Sequence, residues 1–185
     1  IDGCWWGSLD LGGDSAVDFL VSLAGPAAKG IDVVVGQNKA ALKLSGISDA
    51  VADQYCKALA AVYRDRIVGV TVDDPAALRI NLEKIVSLDN DWLTYFLKYD
   101  PSEDIKKINC PVFALNGSLD MQVLSRDNMP VIRENLPENP LNQIKEYDSL
   151  NHLFQHCTVQ NSLNYAAIEE TISAEVLNDI SHWIN

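Results

Sequence analysis

The sequence predicts an α/β protein with a short parallel sheet and many helices, some of them gathered into a separate segment. Two near-continuous apolar runs, residues 17–24 and 112–115, are typical of parallel strands covered on both faces. Between them lie about seventy residues whose apolar positions repeat at helical spacing, more than a simple crossover connection needs. The pattern therefore favours an inserted helical cap, since lids are commonly placed over active sites.

The first half of the chain contains one strand and then helices. The strand at 17–24 closes at a Gly-Pro pair. Apolar residues at helical spacing predict one helix around 31–42 and a second over 49–67. Pro75 suits the first turn of a third helix, and Asp91 suits the cap of a fourth.

The second half alternates strands and helices. The strand at 112–115 is followed by a helix with Pro130 near its start. Residues 142–147 alternate in polarity and predict a strand. The last helix has Ser173 as its predicted N-cap and Glu175 in its first turn, where a negative charge is favourable.

Composition narrows the class of protein. The 185 residues are enough for one domain with a real core, and an apolar share of 48% is ordinary for a globular protein. The net charge of −12 repels phosphate backbones, which argues against a nucleic-acid partner. No apolar run reaches the length of a membrane span. The compartment stays undetermined between cytoplasm and periplasm or secretion.

Neither a metal nor an organic cofactor is expected. The chain has four cysteines: Cys4, Cys56, Cys110 and Cys157. They form no C-x-x-C pair, so the spacing predicts neither a zinc site nor a redox motif. His152 and His156 are spaced like two metal ligands on a helix, but no third ligand follows at a useful spacing.

Two polar turns contain the candidate catalytic residues. The strand at 112–115 breaks at Asn116-Gly117, which we interpret as a turn rather than a glycosylation site, and leads to Asp120. The strand at 142–147 leads to His152. Considered alone, Asp120 could be an ordinary turn carboxylate and His152 an ordinary surface histidine. Together at the rim of one sheet they are two-thirds of a Ser-His-Asp triad, in which the carboxylate orients the imidazole.

Several blocks of the chain resemble bacterial α/β-hydrolase serine esterases with a helical cap. The blocks lie at 115–123, 150–155 and 168–173, and residues 22–26 and 92–101 are similar to that family too. They occur in the family's order, and the resemblance implies that this chain is the C-terminal part of an α/β-hydrolase fold.

The resemblance also implies roles for the two polar residues. In the family the triad acid follows the seventh strand, which matches Asp120, and the histidine follows the eighth, which matches His152. The nucleophile belongs in G-x-S-x-G, ahead of the strand at 17–24. Gly3 and Gly7 match the outer glycines, but Trp5 stands in place of the serine. The nucleophile is therefore unknown, and Cys4 lies beside the central position of the motif.

The resemblance predicts a chain in three parts. Residues 1–26 form a remnant of the central sheet with an irregular N-terminal segment, residues 27–105 form the helical cap, and residues 106–185 form the C-terminal part of the core. The strand at 17–24 would lack the neighbour that carries the nucleophile, and bare apolar edges invite pairing. The expected partners are a small acyl substrate and, at this edge, a missing N-terminal half or a second copy.

The expected activity is hydrolysis of carboxylic esters or related acyl compounds through an acyl-enzyme. The serine would lie outside this chain, so the 185 residues alone are expected to be inactive. One alternative is a non-catalytic pseudo-hydrolase or self-associating module, in which Trp5 truly replaces the serine. Another is a serine peptidase with the same triad. Trp92 and Phe96 are interpreted as ordinary helix packing, with an acyl pocket beneath the cap as the alternative.

Overall fold

The computed structural model of the protein describes residues 17–68 and 91–185. The described residues fall into two compact units. One comprises the described residues up to Ala28 together with Asp100–Asn185, and the other the described part of Lys29–Tyr99. The predictions for Trp5, for the two glycines around it and for a helix at Pro75 lie outside the described residues.

The first unit is built on a parallel sheet of three strands in the order β1-β2-β3. The strands are β1 (Leu20–Leu23), β2 (Val112–Gly117) and β3 (Gln143–Tyr147). All six residues of β2 are buried, as expected for a central parallel strand with both faces covered. The predicted fold class is therefore confirmed as an α/β protein with a short parallel sheet and helices. Its assignment to the α/β-hydrolase fold stays a prediction.

Helices cover both faces of this sheet. The helices of the unit are α4 (Ser102–Ile105), α5 (Ser125–Asn135) and α6 (Ala174–Ile184), with two 3-10 turns at Val159–Asn161 and Tyr165–Ala167. Successive side chains of β2 point to opposite faces. Val112 accordingly packs in a cluster with Ile132 of α5, while Phe113 packs in a second cluster with Val176 of α6.

The second unit consists of three described helices. They are α1 (Gly30–Leu44), α2 (Asp49–Val68) and α3 (Asp91–Lys98). Leu59 and Leu97 are fully buried between them. Trp92 and Phe96 of α3 stack with ring centroids 5.5 Å apart, and Trp92 keeps 46% of its surface exposed. This unit lies within the predicted cap at 27–105, and its role as a lid stays a prediction.

Three local predictions need correction or refinement. Asn116 and Gly117 are not a turn but the last residues of β2, because parallel pairing with β3 extends to Gly117. Helix α5 begins at Ser125, so Pro130 lies inside the helix rather than near its start. Ser173 does occupy the N-cap position of α6, but its side chain makes no capping hydrogen bond.

Three of the four cysteines lie within the described residues. Cys56, Cys110 and Cys157 are free thiols, and burial raises the pKa of each. Within the described residues, no helix combines the length and the apolar character needed to cross a bilayer. At the sheet edge, β1 has β2 as its one neighbour among the described strands, so pairing of its other side stays a prediction.

Candidate functional site

Asp120 lies on a tight turn that follows β2. Its backbone N–H donates to the carbonyl of Gly117 at 3.1 Å, and its Oδ1 accepts from the backbone N–H groups of Gln122 and Val123, both at 2.8 Å. The Asn116 side chain closes the turn from the strand side, because its Nδ2 donates to the Val123 carbonyl at 3.0 Å. Oδ1 is thus hydrogen-bonded to the backbone, and these bonds fix the orientation of the carboxylate and of its other oxygen, Oδ2.

His152 lies on a loop that is organised around a buried amide. Asn151 is completely buried, and its Oδ1 accepts from the backbone N–H groups of Leu153 and Gln155, both at 3.0 Å. The Asn151 Nδ2 donates to Oε1 of Gln155 at 2.9 Å. Because a buried side-chain amide with all these partners has one favourable orientation, the backbone that carries His152 is held in one conformation.

The same edge of the sheet holds three strained residues. Ala24 after β1, and Ser149 and Phe154 after β3, have positive φ angles of 50°, 59° and 57°. Such angles cost about 1–3 kcal/mol for residues other than glycine and cluster at functional sites. At Phe154 the cost is offset by burial of the ring against Tyr147 and by a 2.8 Å hydrogen bond from the Ser173 N–H to its carbonyl.

The acid turn and the His152 loop are in direct contact. The N–H of Leu119, next to Asp120, donates to the carbonyl of Leu150 at 2.9 Å. A Cβ on Gly117 would lie 2.2 Å from that carbonyl oxygen and 2.8 Å from the carbonyl oxygen of Asn151. Both distances are too short for a side chain, so the contact requires glycine at this position.

The outcome is a hydrogen-bonded pair between the two residues that the sequence singles out. Nδ1 of His152 lies 2.8 Å from Oδ2 of Asp120. The carboxylate is an acceptor, so it selects the tautomer with the proton on Nδ1 and leaves Nε2 with its lone pair. The Asp120 side chain is fully buried, while the His152 side chain keeps 18% exposure. An imidazole that reaches solvent while its orienting carboxylate does not is suited to proton transfer with a bound molecule.

The described residues do not supply a nucleophile for this pair. Asp120 is the hydrogen-bond partner that the described residues give His152, and no described serine or cysteine donates to the imidazole. Cys4 and Trp5, the residues at the altered elbow, lie outside the described residues. Ser22 in β1 is described but buried, with its Oγ lacking a hydrogen-bond partner, and so it is not presented to a substrate.

A second histidine, His156, is paired with a different carboxylate. Nδ1 of His156 lies 2.9 Å from Glu170 Oε2, and the His156 backbone N–H donates to the same oxygen at 2.6 Å. That backbone hydrogen bond is the main reason why the pKa of Glu170 lies below its ordinary value, followed by the bond from the ring. Across the described part of the chain, no three histidine, cysteine or acidic side chains are grouped to hold a metal ion.

Sequence reasoning missed the amides that support the pair. Asn151 and Gln155 hold the His152 loop, and Gln122 donates its backbone N–H to Asp120. Asn151 had a usable signal, because asparagine side chains commonly bind the backbone two residues further on in turns. Gln122 and Gln155 have no comparable local signal, since glutamine has no strong turn preference.

Comparisons with known proteins give a distant structural likeness. No family model matches the chain, and no curated protein matches it in sequence. Among solved structures, the chain is similar to proline iminopeptidase from Mycobacterium smegmatis, with 11% identity and a TM-score of 0.42. The alignment covers 86% of this chain and 56% of that one, so the chain spans little more than half of that structure. A likeness at this level assigns neither family nor activity, and function has to follow from the geometry of the site.

Proposed function

We propose that the protein is part of a serine hydrolase that cleaves carboxylic esters or related acyl compounds. In this proposal Asp120 is the triad acid and His152 is the general base. One observation carries it, the 2.8 Å hydrogen bond between His152 Nδ1 and a fully buried Asp120 carboxylate at the carboxyl edge of a parallel sheet. Open parallel sheets commonly bind their ligands outside this edge.

The proposed mechanism follows from the tautomer of His152. Nε2 takes the proton of a serine hydroxyl as its oxygen bonds to the acyl carbon, and the buried carboxylate stabilises the imidazolium that forms. The same proton then passes from Nε2 to the leaving alcohol as the acyl–oxygen bond breaks. A water molecule repeats both steps on the acyl-enzyme and releases the acid. The serine is supplied from outside the described residues.

Burial of Asp120 strengthens this arrangement. Its two backbone hydrogen bonds hold the carboxylate before any substrate binds, so no reorganisation is needed when the imidazole becomes charged. The interaction of a carboxylate with an imidazolium is also stronger away from water. A carboxylate used only to close a turn would not require a histidine at hydrogen-bond distance.

An ester assay on the full-length protein tests the proposal. Asp120→Asn and His152→Ala are each expected to lower kcat for a short p-nitrophenyl ester by about a thousandfold or more, because triad members act as a unit. His156→Ala is the matched control, since it removes an imidazole that is also paired with a carboxylate but lies on the exposed side of the loop. Normal turnover in both site variants would refute the assignment.

The altered elbow motif favours a second candidate, a non-catalytic pseudo-hydrolase. Trp5 stands where the resemblance places the nucleophile. A fluorophosphonate probe separates the two, because it labels an activated serine and leaves a protein without one unmodified. Full-length protein that stays unlabelled and inactive would favour the pseudo-hydrolase. Parallel assays with a peptide p-nitroanilide distinguish a peptidase from an esterase, since both would use Asp120 and His152.

A further inference from the structure

Tyr165 lies beside the acid turn without belonging to it. It begins the 3-10 turn Tyr165–Ala167, and its hydroxyl oxygen accepts from Nε2 of Gln122 at 2.8 Å. The backbone N–H of the same Gln122 donates to Asp120 Oδ1. Burial raises the pKa of the Tyr165 phenol by more than the hydrogen bond from Gln122 lowers it, so the phenol stays neutral beside the carboxylate. Tyr165 therefore contacts Asp120 indirectly, through Gln122.

The backbone near Tyr165 also contacts a residue that supports the His152 loop. Nε2 of Gln155 donates to the carbonyl of Glu170 at 2.7 Å and, at the longer distance of 3.5 Å, to the carbonyl of Tyr165. Oε1 of Gln155 accepts from Asn151, the buried amide that holds the His152 loop. The backbone of segment 165–170 thus contacts Gln155, which helps to hold the His152 loop. The Tyr165 hydroxyl of the same segment contacts Gln122, which binds Asp120.

We propose that Tyr165 is a positioning residue that couples the acid turn to the His152 loop through Gln122 and Gln155. The two halves of the pair follow different strands, 32 residues apart in the chain. A third segment that binds both can keep their separation constant. Misplacement by about 1 Å can lower a catalytic rate about a hundredfold, so such a constraint matters for proton transfer. The consequence for catalysis rests on the proposed function, whereas the coupling itself does not.

The experiment observes the pair directly in the 185-residue chain by NMR with ¹⁵N-labelled histidine. The readout is the low-field resonance of the His152 Nδ1 proton, which is visible while the hydrogen bond to Asp120 shields it from exchange with water. Asp120→Asn identifies the resonance by removing it. Tyr165→Phe keeps the ring and the backbone carbonyl but deletes the phenol that binds Gln122, and it is expected to abolish the resonance.

Gln122→Leu removes the same hydrogen bond from the other side and gives a second variant should Tyr165→Phe fail to fold. It is expected to abolish the resonance as well, because both variants remove the same hydrogen bond. Tyr147→Phe is the matched control. It deletes a phenol of the same unit that binds Asp179 at 2.6 Å, away from the pair, and should retain the resonance.

The outcomes separate the inference from the proposed function. A resonance that persists unchanged in Tyr165→Phe or Gln122→Leu would overturn the positioning role and leave the Asp120–His152 proposal standing. A resonance missing from the unmodified chain would overturn both, since the pair would not be formed in solution. In the full-length protein, Tyr165→Phe should lower kcat between about tenfold and a hundredfold with KM unchanged. A change confined to KM would contradict positioning.

Discussion

At the scale of single residues, the absence of one side chain decides how the candidate site is assembled. Gly117 ends β2 where the backbone carbonyls of Leu150 and Asn151 approach it most closely. Any Cβ there would press on the two residues that precede His152. The position of the histidine therefore depends on a residue that carries no chemistry of its own.

Gly117→Ala is predicted to destabilise the protein and to disturb the pair. The new methyl group has to push the His152 loop away, because it would lie 2.2 Å from the Leu150 carbonyl oxygen. Overpacking of this kind costs about 1–3 kcal/mol, measurable as a lower urea midpoint. Gly46→Asn is the comparison, since its Cβ meets open space and any loss there reflects only the positive φ of 80°, which asparagine adopts more readily than most residues. An unchanged urea midpoint in Gly117→Ala would contradict the close contact.

At the scale of elements, α6 is attached to the sheet by both apolar and ionic contacts. The Trp183 ring lies 5.4 Å from the ring of Phe113 in β2, and its Nε1 donates to the Leu141 carbonyl at 2.8 Å. Asp179 accepts from the Tyr147 hydroxyl at 2.6 Å and from the ammonium group of Lys145. Hydrogen bonds from Lys145 and then Tyr147 hold the pKa of Asp179 below its ordinary value of 3.8.

The lowered pKa of Asp179 predicts that acid weakens the attachment of α6. The carboxyl is more acidic in the folded than in the unfolded chain, so its stabilising effect is present above the unfolded pKa. That effect is lost as the pH falls through the lower, folded value. Thermal melts between pH 6 and pH 3 should therefore show a smaller drop in Tm for Asp179→Asn than for the unmodified protein.

Asp127→Asn provides the comparison for this series. Asp127 is an exposed carboxylate of α5 whose Oδ1 lies 3.7 Å from Nε of Arg126, a weak surface contact. Its replacement should leave the acid-induced drop in Tm as large as in the unmodified protein. Equal drops for Asp179→Asn and the unmodified protein would show that the contact with β3 contributes nothing.

At the scale of the whole molecule, the chain leaves the sheet after β1 and returns to it before β2. Within the helical unit, the Gly30 N–H donates to the Tyr99 carbonyl at 3.0 Å, so the two ends of that unit are adjacent. Adjacent ends are typical of inserted domains, which can be added or removed with little effect on their host. The helical unit therefore has the chain geometry of an insertion, and its role as a cap stays a prediction.

Removal of Lys29–Tyr99 is predicted to leave a folded first unit. Ala28 would be joined to Asp100 through a short Gly-Ser linker, and the shortened protein should unfold in one cooperative urea transition with near-UV circular dichroism intact. Truncation before Ala174 is the contrasting variant, because it removes α6 and exposes the cluster around Phe113 and Val176. An expanded, dye-binding state after removal of Lys29–Tyr99 would contradict independent folding.

Local patterns predicted the elements well and their junctions poorly. Continuous apolar runs identified β1 and β2 because a parallel strand buried on both faces has to be apolar throughout. The assignment of Asn116-Gly117 as a turn was wrong because its preference for turns is weaker than pairing along the whole of β3. The position of Pro130 was wrong for a related reason. The helix starts earlier, after Leu124, whose carbonyl accepts from the N–H groups of Asp127 and Asn128.

By itself the sequence determined the class of fold, the strands and helices, and the presence of Asp120 and His152 at the ends of two strands, because these depend on residue type and on spacing over a few positions. Only the tertiary structure decided that Nδ1 of His152 meets Oδ2 of Asp120, that Gly117 permits this meeting, and that Tyr165 contacts the support of both halves. Those contacts join residues between 10 and 43 positions apart, and local spacing carries no information about them. They form because packing against a common sheet brings separate turns to one edge.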